Sequence, residues 1–345
     1  MPMETFQLCP IEGGISSSAY FDEMRHVSET VKPRIIQLTE EIGQHCPGLS
    51  DDFYYYYSKR VHSRKLLLRP FIFKEFLNIY SLDWEKHLDI AAIIEIINIS
   101  TYQSNLAFDN KCGVTNQQSK SNQFISSVFS KLLVIRIIME LDQYTLEQKK
   151  MFVSIITKAY EKLYYGQYID INELTFSNLA ILHSDSAFND LYRKRCALIG
   201  GSLIEMIAEV SSAIADKQDD SILPFLREFS FHYGLAGQVV NDLGDLSEKG
   251  KSYTDRYFDL FNKKVTFPIR EAILQTNSLN ESVLISYYED EENLQKIKTS
   301  TRRYIEEDVQ IVRDNLAMLA KIGIDSGYLC AIGRLLTESR LVLDR

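Results

Sequence analysis

Along nearly the whole chain, apolar residues recur every three to four positions, the period of a helix with one buried face. The spacing predicts helices at about 16–44, 51–60, 64–80, 85–110, 119–141, 146–166, 186–217, 221–247, 263–276, 290–320 and 325–343. The breaks carry the right residues. Pro47-Gly48 closes the first long helix, and Ser50-Asp51 can cap the next. A polar loop is expected over 110–115, and Gly166 is expected to end the helix that finishes in Tyr164-Tyr165. Gly250 opens a polar stretch, 248–262, ahead of Pro268. No alternating run with a hairpin turn appears, nor any repeat of domain-building period. The pattern therefore predicts one all-α domain over residues 1–345, a bundle of ten or more helices.

Composition agrees and narrows the function classes. Only 15 Gly and 7 Pro interrupt 345 residues, and 45% of the side chains are hydrophobic, too many for a disordered chain. Acidic residues number 47 against 38 basic, a net charge of -9. Binding to nucleic acid needs a basic face, so no nucleic-acid partner is expected. The N-terminus lacks a basic region followed by an apolar run, and Cys9, Cys46, Cys112, Cys196 and Cys330 form no CxxC pair. Both observations fit a reducing cytoplasm. Apolar stretches such as Leu132 to Met139, itself broken by Arg136, are shorter than the roughly 20 residues of a membrane span, so none is expected. The six histidines have no metal-ligand spacing, and nucleotide-binding glycine loops and the GxSxG elbow are missing.

The densest polar cluster within an apolar helix is Gln238-Val239-Val240-Asn241-Asp242-Leu243-Gly244-Asp245. Asn241 and Asp245 are four apart, Asp242 and Asp245 three apart, so they share one helix face. That face begins as core at Phe229, Phe231, Leu235 and Val239. Either it turns to solvent near the helix end, or a cation neutralises the carboxylates. Mg2+, which binds carboxylates together with substrate phosphates, is the natural candidate.

Downstream stand Gly250-Lys251 and then Asp259-Leu260-Phe261-Asn262-Lys263-Lys264-Val265-Thr266-Phe267-Pro268. The combination resembles the second aspartate-rich region of the trans-isoprenyl diphosphate synthases (the polyprenyl synthetase family), Q-x-x-D-D-x-x-D, then G-K, then D-x-x-x-K-x-T-x-P. Gln238, Asp242, Asp245, Lys251, Asp259, Lys264, Thr266 and Pro268 match, with Asn241 in place of the first Asp. Tyr165-Gly166-Gln167-Tyr168-Ile169-Asp170 is similar to G-Q-x-x-D. Tyr192-Arg193-Lys194-Arg195-Cys196 stands where the family has Y…K-T, so Arg195 replaces a diphosphate-binding Lys. Leu68-Arg69-Pro70 resembles the end of G-K-x-L-R-P. The resemblance covers about 60–275, leaving 1–50 as a helical extension and 276–345 as C-terminal helices. It implies the isoprenoid synthase fold, a helical bundle around a central apolar cavity.

The departures are lopsided. In the first aspartate-rich region only Asp109 survives, Asn105 and Leu106 replacing its first two acids. Where the family grips isopentenyl diphosphate, this chain has Leu66, Arg69, Asn98 and Lys111-Cys112-Gly113, with Lys65 one residue out of register. Each charge-assisted contact to a diphosphate contributes roughly 1.5–3 kcal/mol, so losing two or three weakens a second diphosphate site by several powers of ten. The resemblance therefore implies an enzyme that ionises an allylic isoprenyl diphosphate of C10 to C20 and releases diphosphate, as a terpene-synthase-like lyase or by prenyl transfer to an acceptor other than isopentenyl diphosphate. Asp242, Asp245, Asp109 and Lys264 are the expected catalytic residues. Mg2+ is expected on Asp242, Asp245, Asn241, Asp109 and Asn105. Substrate is expected on Arg195, Lys251, Lys264, Gln238, Arg69 and Gln167, with Tyr102 gauging chain length. The alternatives are chain elongation with isopentenyl diphosphate, gripped by Lys65, Arg69 and Lys111, and an inactive regulatory subunit. Family relatives also suggest a homodimer. Other eye-catching features (Tyr54 to Tyr57, Phe108, Phe124, Phe129, the charges of Glu289 to Glu292, His62 and His183) are expected to be packing or solvated surface.

Overall fold

The computed structural model describes residues 17–45, 66–108, 117–216, 221–247 and 253–321. The helices expected at 51–60 and 325–343, the Pro47-Gly48 break and the 110–115 loop lie outside the described residues.

Five long helices build the first half: α1 (Ser17–His45), α2 (Leu68–Ile79), α3 (Leu88–Phe108), α4 (Gln117–Glu140) and α5 (Leu146–Asn172). Met24, Val27, Val31 and Ile35 form the buried stripe of α1. On α3, Ile90 to Ile97 is buried on every side, so this helix runs through the middle of the bundle. A Thr145–Gln148 capping box starts α5. The helix does not stop at Gly166 but runs six residues further, to Asn172. Gly166 answers a packing need instead: a Cβ there would lie 2.8 Å from Ile199 Cγ1 and 2.9 Å from Leu198 Cβ.

Next come α6 (Asp185–Cys196), a π turn at Ala197–Gly201, α7 (Ser202–Ala215) and α8 (Leu223–Ser247). The expected continuous helix over 186–217 thus carries an extra-residue turn, a feature that re-aims the side chains before it. At that turn the backbones of two helices almost touch. A Cβ on Gly200 would lie 2.1 Å from the Gly234 carbonyl oxygen, so only glycine fits.

The described residues end with α9 (Phe267–Thr276), α10 (Glu281–Glu289), α11 (Glu291–Tyr304) and α12 (Glu306–Lys321). The expected 290–320 helix is therefore two helices meeting at Ile305, and 281–289 is a helix that the pattern did not reveal. Asp308 of α12 accepts two bonds from Arg193 of α6, at 2.9 and 2.7 Å, and lies 2.7 Å from His232 of α8. No strand occurs among the described residues, only an isolated antiparallel bridge between Thr175 and Lys264.

Two hydrophobic clusters result. One joins α1 to α5 with α7 and the start of α8; the other joins α6, the end of α8 and α9 to α11. The stretches 120–140 and 185–215 are, contrary to the run-length reading, long and apolar enough to cross a membrane. Both are packed in the bundle, 185–215 mostly buried within it.

Candidate active site

Where α5, α6 and α8 converge, charged side chains are buried. Asp242 of α8, only 2% exposed, stands among Val239, Val240 and Leu243. Its Oδ2 accepts from Arg195 of α6 at 2.7 Å and from the Tyr192 hydroxyl at 2.8 Å, and its Oδ1 from Gln238 Nε2 at 2.8 Å. Arg195 also reaches across to α5, donating through Nε to Asp170 Oδ1 at 2.7 Å. The second oxygen of Asp170 accepts from Lys264 Nζ at 2.6 Å. The result is a continuous chain of charges: Lys264, Asp170, Arg195, Asp242.

The backbone aims Lys264 inward. The Phe176 and Val265 amides donate to the Lys263 and Leu174 carbonyls at 2.9 and 2.8 Å, pinning the loop after α5 to the loop before α9. Lys263, at φ 55°, makes the reversal, and Thr266 then leads into α9 with Pro268 in its first turn.

Charge balance follows from these contacts. Burial alone would raise Asp170, but Arg195 and Lys264 outweigh it and hold the carboxyl below the usual range. Asp242 stays above that range, because burial exceeds what Arg195 and Tyr192 return. Burial also pushes half-buried Asp259 up to about 7, with Lys264 offsetting only part of it and Asp242, Asp170 and Asp245 adding repulsion. The Cys196 thiol is driven by burial to about 12, so it is no nucleophile.

The expected site residues distribute unevenly. Asp242, Gln238, Arg195 and Lys264 come together, and on the same helix Asn241 is exposed and Asp245 half-buried. Arg195 is not an open cation awaiting a phosphate, since two carboxylates hold it. Gln167 is buried with no partner on its amide nitrogen, and with Asn105 it borders a small space between α3, α4 and α5. Tyr102 is 53% exposed and does not border that space. Arg69 is half-buried at the second residue of α2. Asp109 and Lys251, like Lys65 and Lys111, lie outside the described residues. At the expected acceptor side, Asn98 Nδ2 donates to Glu95 Oε1 at 3.0 Å, an amide–acid pair in place of a cation.

Among the described residues, no three His, Cys, Asp or Glu side chains converge to hold a metal ion unaided. Asn241 and Asp245 offer oxygen donors on one face of α8. That donor set suits Mg2+ arriving with a phosphate-bearing ligand, its usual mode of binding. Three participants escaped the sequence reading of the site. Asp170 had a signal, an acid one turn beyond Gln167. Tyr192 had one as well, the Tyr of the Y…K-T match, without a role attached to it. Lys131, which meets Ser104, Ser127, Tyr160 and Tyr164, had none, because those partners lie on other helices or a turn away.

The fold has close solved counterparts. A geranylgeranyl pyrophosphate synthetase from the archaeon Geoglobus acetivorans superposes with a TM-score of 0.66 at 19% identity, covering 90% of this chain and 98% of its own. The Pyrococcus horikoshii geranylgeranyl pyrophosphate synthetase gives 0.67 at 15% identity, over 93% and 98%. A Caulobacter crescentus polyprenyl synthase, complexed with calcium and isoprenyl diphosphate, gives 0.64 at 15% identity, over 94% and 97%. No curated protein sequence matches. The polyprenyl synthetase family model, however, matches residues 115–304, more than half of the chain and the stretch holding Gln167, Asp170, Arg195, Asp242 and Lys264. On that match, and on the all-α fold around it, the chain belongs to the polyprenyl synthetase family.

Proposed function

We propose that the protein ionises an allylic isoprenyl diphosphate without using isopentenyl diphosphate, as a terpene-synthase-like lyase or a transferase to another acceptor. The observation that carries this reading is where the charges lie. The Lys264–Asp170–Arg195–Asp242 chain stands at one side of the bundle. At the acceptor side, the corresponding position holds Asn98 bonded to Glu95. Asp170 fixes Lys264 and Arg195, and Arg195 in turn fixes Asp242, so the cluster orders α5, α6 and α8 around the proposed diphosphate site rather than offering Arg195 to the anion. Bound with the substrate on Asn241 and Asp245, and with Asp109 as the proposed third ligand, Mg2+ would neutralise the charge that develops on departing diphosphate. Lys251 and Gln167 complete the proposed contacts, and the surrounding apolar helices exclude water from the cation.

One observation favours a second reading, an inactive regulatory subunit: both oxygens of Asp242 and both of Asp170 are already engaged by the protein. Incubation with Mg2+ and geranyl, farnesyl or geranylgeranyl diphosphate, each with and without isopentenyl diphosphate, separates the possibilities. Diphosphate release with a hydrocarbon or alcohol product, indifferent to isopentenyl diphosphate, is expected. A longer diphosphate formed only with isopentenyl diphosphate means elongation, and no release from any substrate favours the subunit role.

We also propose a homodimer. Ile125, Val128, Leu132 and Met139 form an exposed apolar stripe along α4, with Leu132 61% exposed, and a second copy of the same stripe is its natural cover.

A further inference from the structure

Arg195 serves its two carboxylates unequally. Its Nη1 donates to Asp242 Oδ2 at 2.7 Å. Its Nε and Nη2 both meet one oxygen of Asp170, Oδ1, at 2.7 Å each. The other oxygen, Oδ2, is taken by Lys264, whose Nζ lies 2.6 Å away. All four side chains are buried.

A guanidinium binds a carboxylate best through two parallel N–H bonds, one to each oxygen. On Asp170 that arrangement is blocked twice: Nη1 is drawn toward Asp242, and Lys264 holds the oxygen that Nη2 would take. Removing the first obstacle favours removal of the second. An Arg195 freed from Asp242 can close its fork on Asp170, and the positive charge it brings to Oδ2 repels the ammonium there. A lysine, which stands at this place in the family pattern, has a single ammonium and could not make the exchange.

The release has a natural trigger. Asp242 is next to Asn241 and three residues from Asp245 on the same face of α8, the two donors proposed above for Mg2+. Its Oδ2 already accepts from both Arg195 and the Tyr192 hydroxyl, so a divalent cation beside this carboxylate competes with the guanidinium for its charge.

We propose that Lys264 is a metal-gated anion ligand: with Asp242 neutralised by a divalent metal, Arg195 closes its fork on Asp170, and Lys264 leaves Asp170 for the diphosphate. The inference deepens the ionisation reading and rests on its metal site. Without metal Lys264 stays engaged, so a diphosphate finds this cation only once the metal needed for its departure is in place. Arg195 is then a positioning residue, acting on the anion only through Lys264.

The test uses Mn2+ alone, which stands in for Mg2+ and reports its own binding by paramagnetic resonance. Wild type is trace-acetylated with acetic anhydride, with and without saturating Mn2+. Labelling of Lys264 is compared with that of Lys74, a buried lysine paired with Glu23 at 2.6 Å. Release that turns a minor state of about 10% into the major one should raise Lys264 labelling about tenfold and leave Lys74 unchanged. Arg195→Lys should bind Mn2+ without that rise, and Asp170→Asn should leave Lys264 strongly labelled with or without metal. Bound Mn2+ with unchanged Lys264 labelling in wild type, or an equal rise at Lys74, overturns the exchange, whether or not the variants fold. A full rise in Arg195→Lys overturns it too, as does Mn2+ that does not bind alone. Diphosphate release from geranyl diphosphate with Mg2+, measured on the same wild-type protein, judges the ionisation reading separately. Release with unmoved Lys264 labelling leaves that reading standing, and no release overturns it together with the role given to Lys264.

Discussion

Asp259 is the residue whose chemistry is most open to measurement. Its folded-state value of about 7 lies above the unfolded 3.8, so between those values the folded chain binds the extra proton. Stability contributed this way is complete below about 4 and declines as pH rises toward 7 and beyond. Asp170 works the other way, but its depressed value confines its effect to pH below the ordinary carboxylate range. Urea midpoints should therefore fall for wild type between pH 5 and pH 8, and Asp259→Asn should flatten that fall. A fall of the same size in the variant excludes Asp259 as its source. Arg195 offers the complementary prediction. Arg195→Met leaves Asp170 and Asp242 facing each other without their shared cation, which should cost about 3–5 kcal/mol in urea denaturation. Arg195→Lys should recover part of it, since one ammonium replaces a fork that reaches two carboxylates. This residue was legible in the sequence as a cation at a motif position. Its pairing was not, because whether a cation faces a ligand or two acids depends on helices distant in sequence.

At the scale of elements, the glycines separate packing from propensity. Gly234→Ala should destabilise by about 1–3 kcal/mol or more, because a Cβ there would lie 2.3 Å from Gly201 backbone atoms. Gly244→Ala, on the same helix with nothing within 4 Å of its Cβ position, should stabilise by up to about 1 kcal/mol. Thermal melts of the two variants moving in the same direction would contradict this account of the α8 crossing. The sequence read helices well wherever a long apolar stripe existed, as in α1, α4 and α8. It misplaced ends where glycine served a tertiary contact, as at Gly166, and passed over α10, whose nine residues carry too few turns for a period to emerge. The π turn at Ala197–Gly201 has no local signature, being set by the closeness of α8.

The whole molecule combines a family scaffold with an uneven site. The fold, and the convergence of Gln238, Asp242 and Lys264 in the candidate site, were legible because motif spacing survives where helices must converge. Lys131 was not, since nothing in α4 alone says that two tyrosines of α5 will enclose it. The proposed dimer is testable at this scale. Leu132→Glu on the α4 stripe should shift the sedimentation coefficient from dimer to monomer without loss of helicity. Monomeric wild type would remove the stripe as an interface.

Burial of the Arg195 cluster also sets how the protein responds to its medium. Counter-ions weaken charge pairs they can approach, over a screening length of about 10 Å at 0.1 M salt and 3 Å at 1 M. The exposed Arg25–Asp22 pair is within their reach, but Arg195, Asp170 and Asp242 are sealed from solvent. Concentrated salt should therefore loosen the rim of the molecule while its charged centre stays assembled across media from dilute buffer to brine.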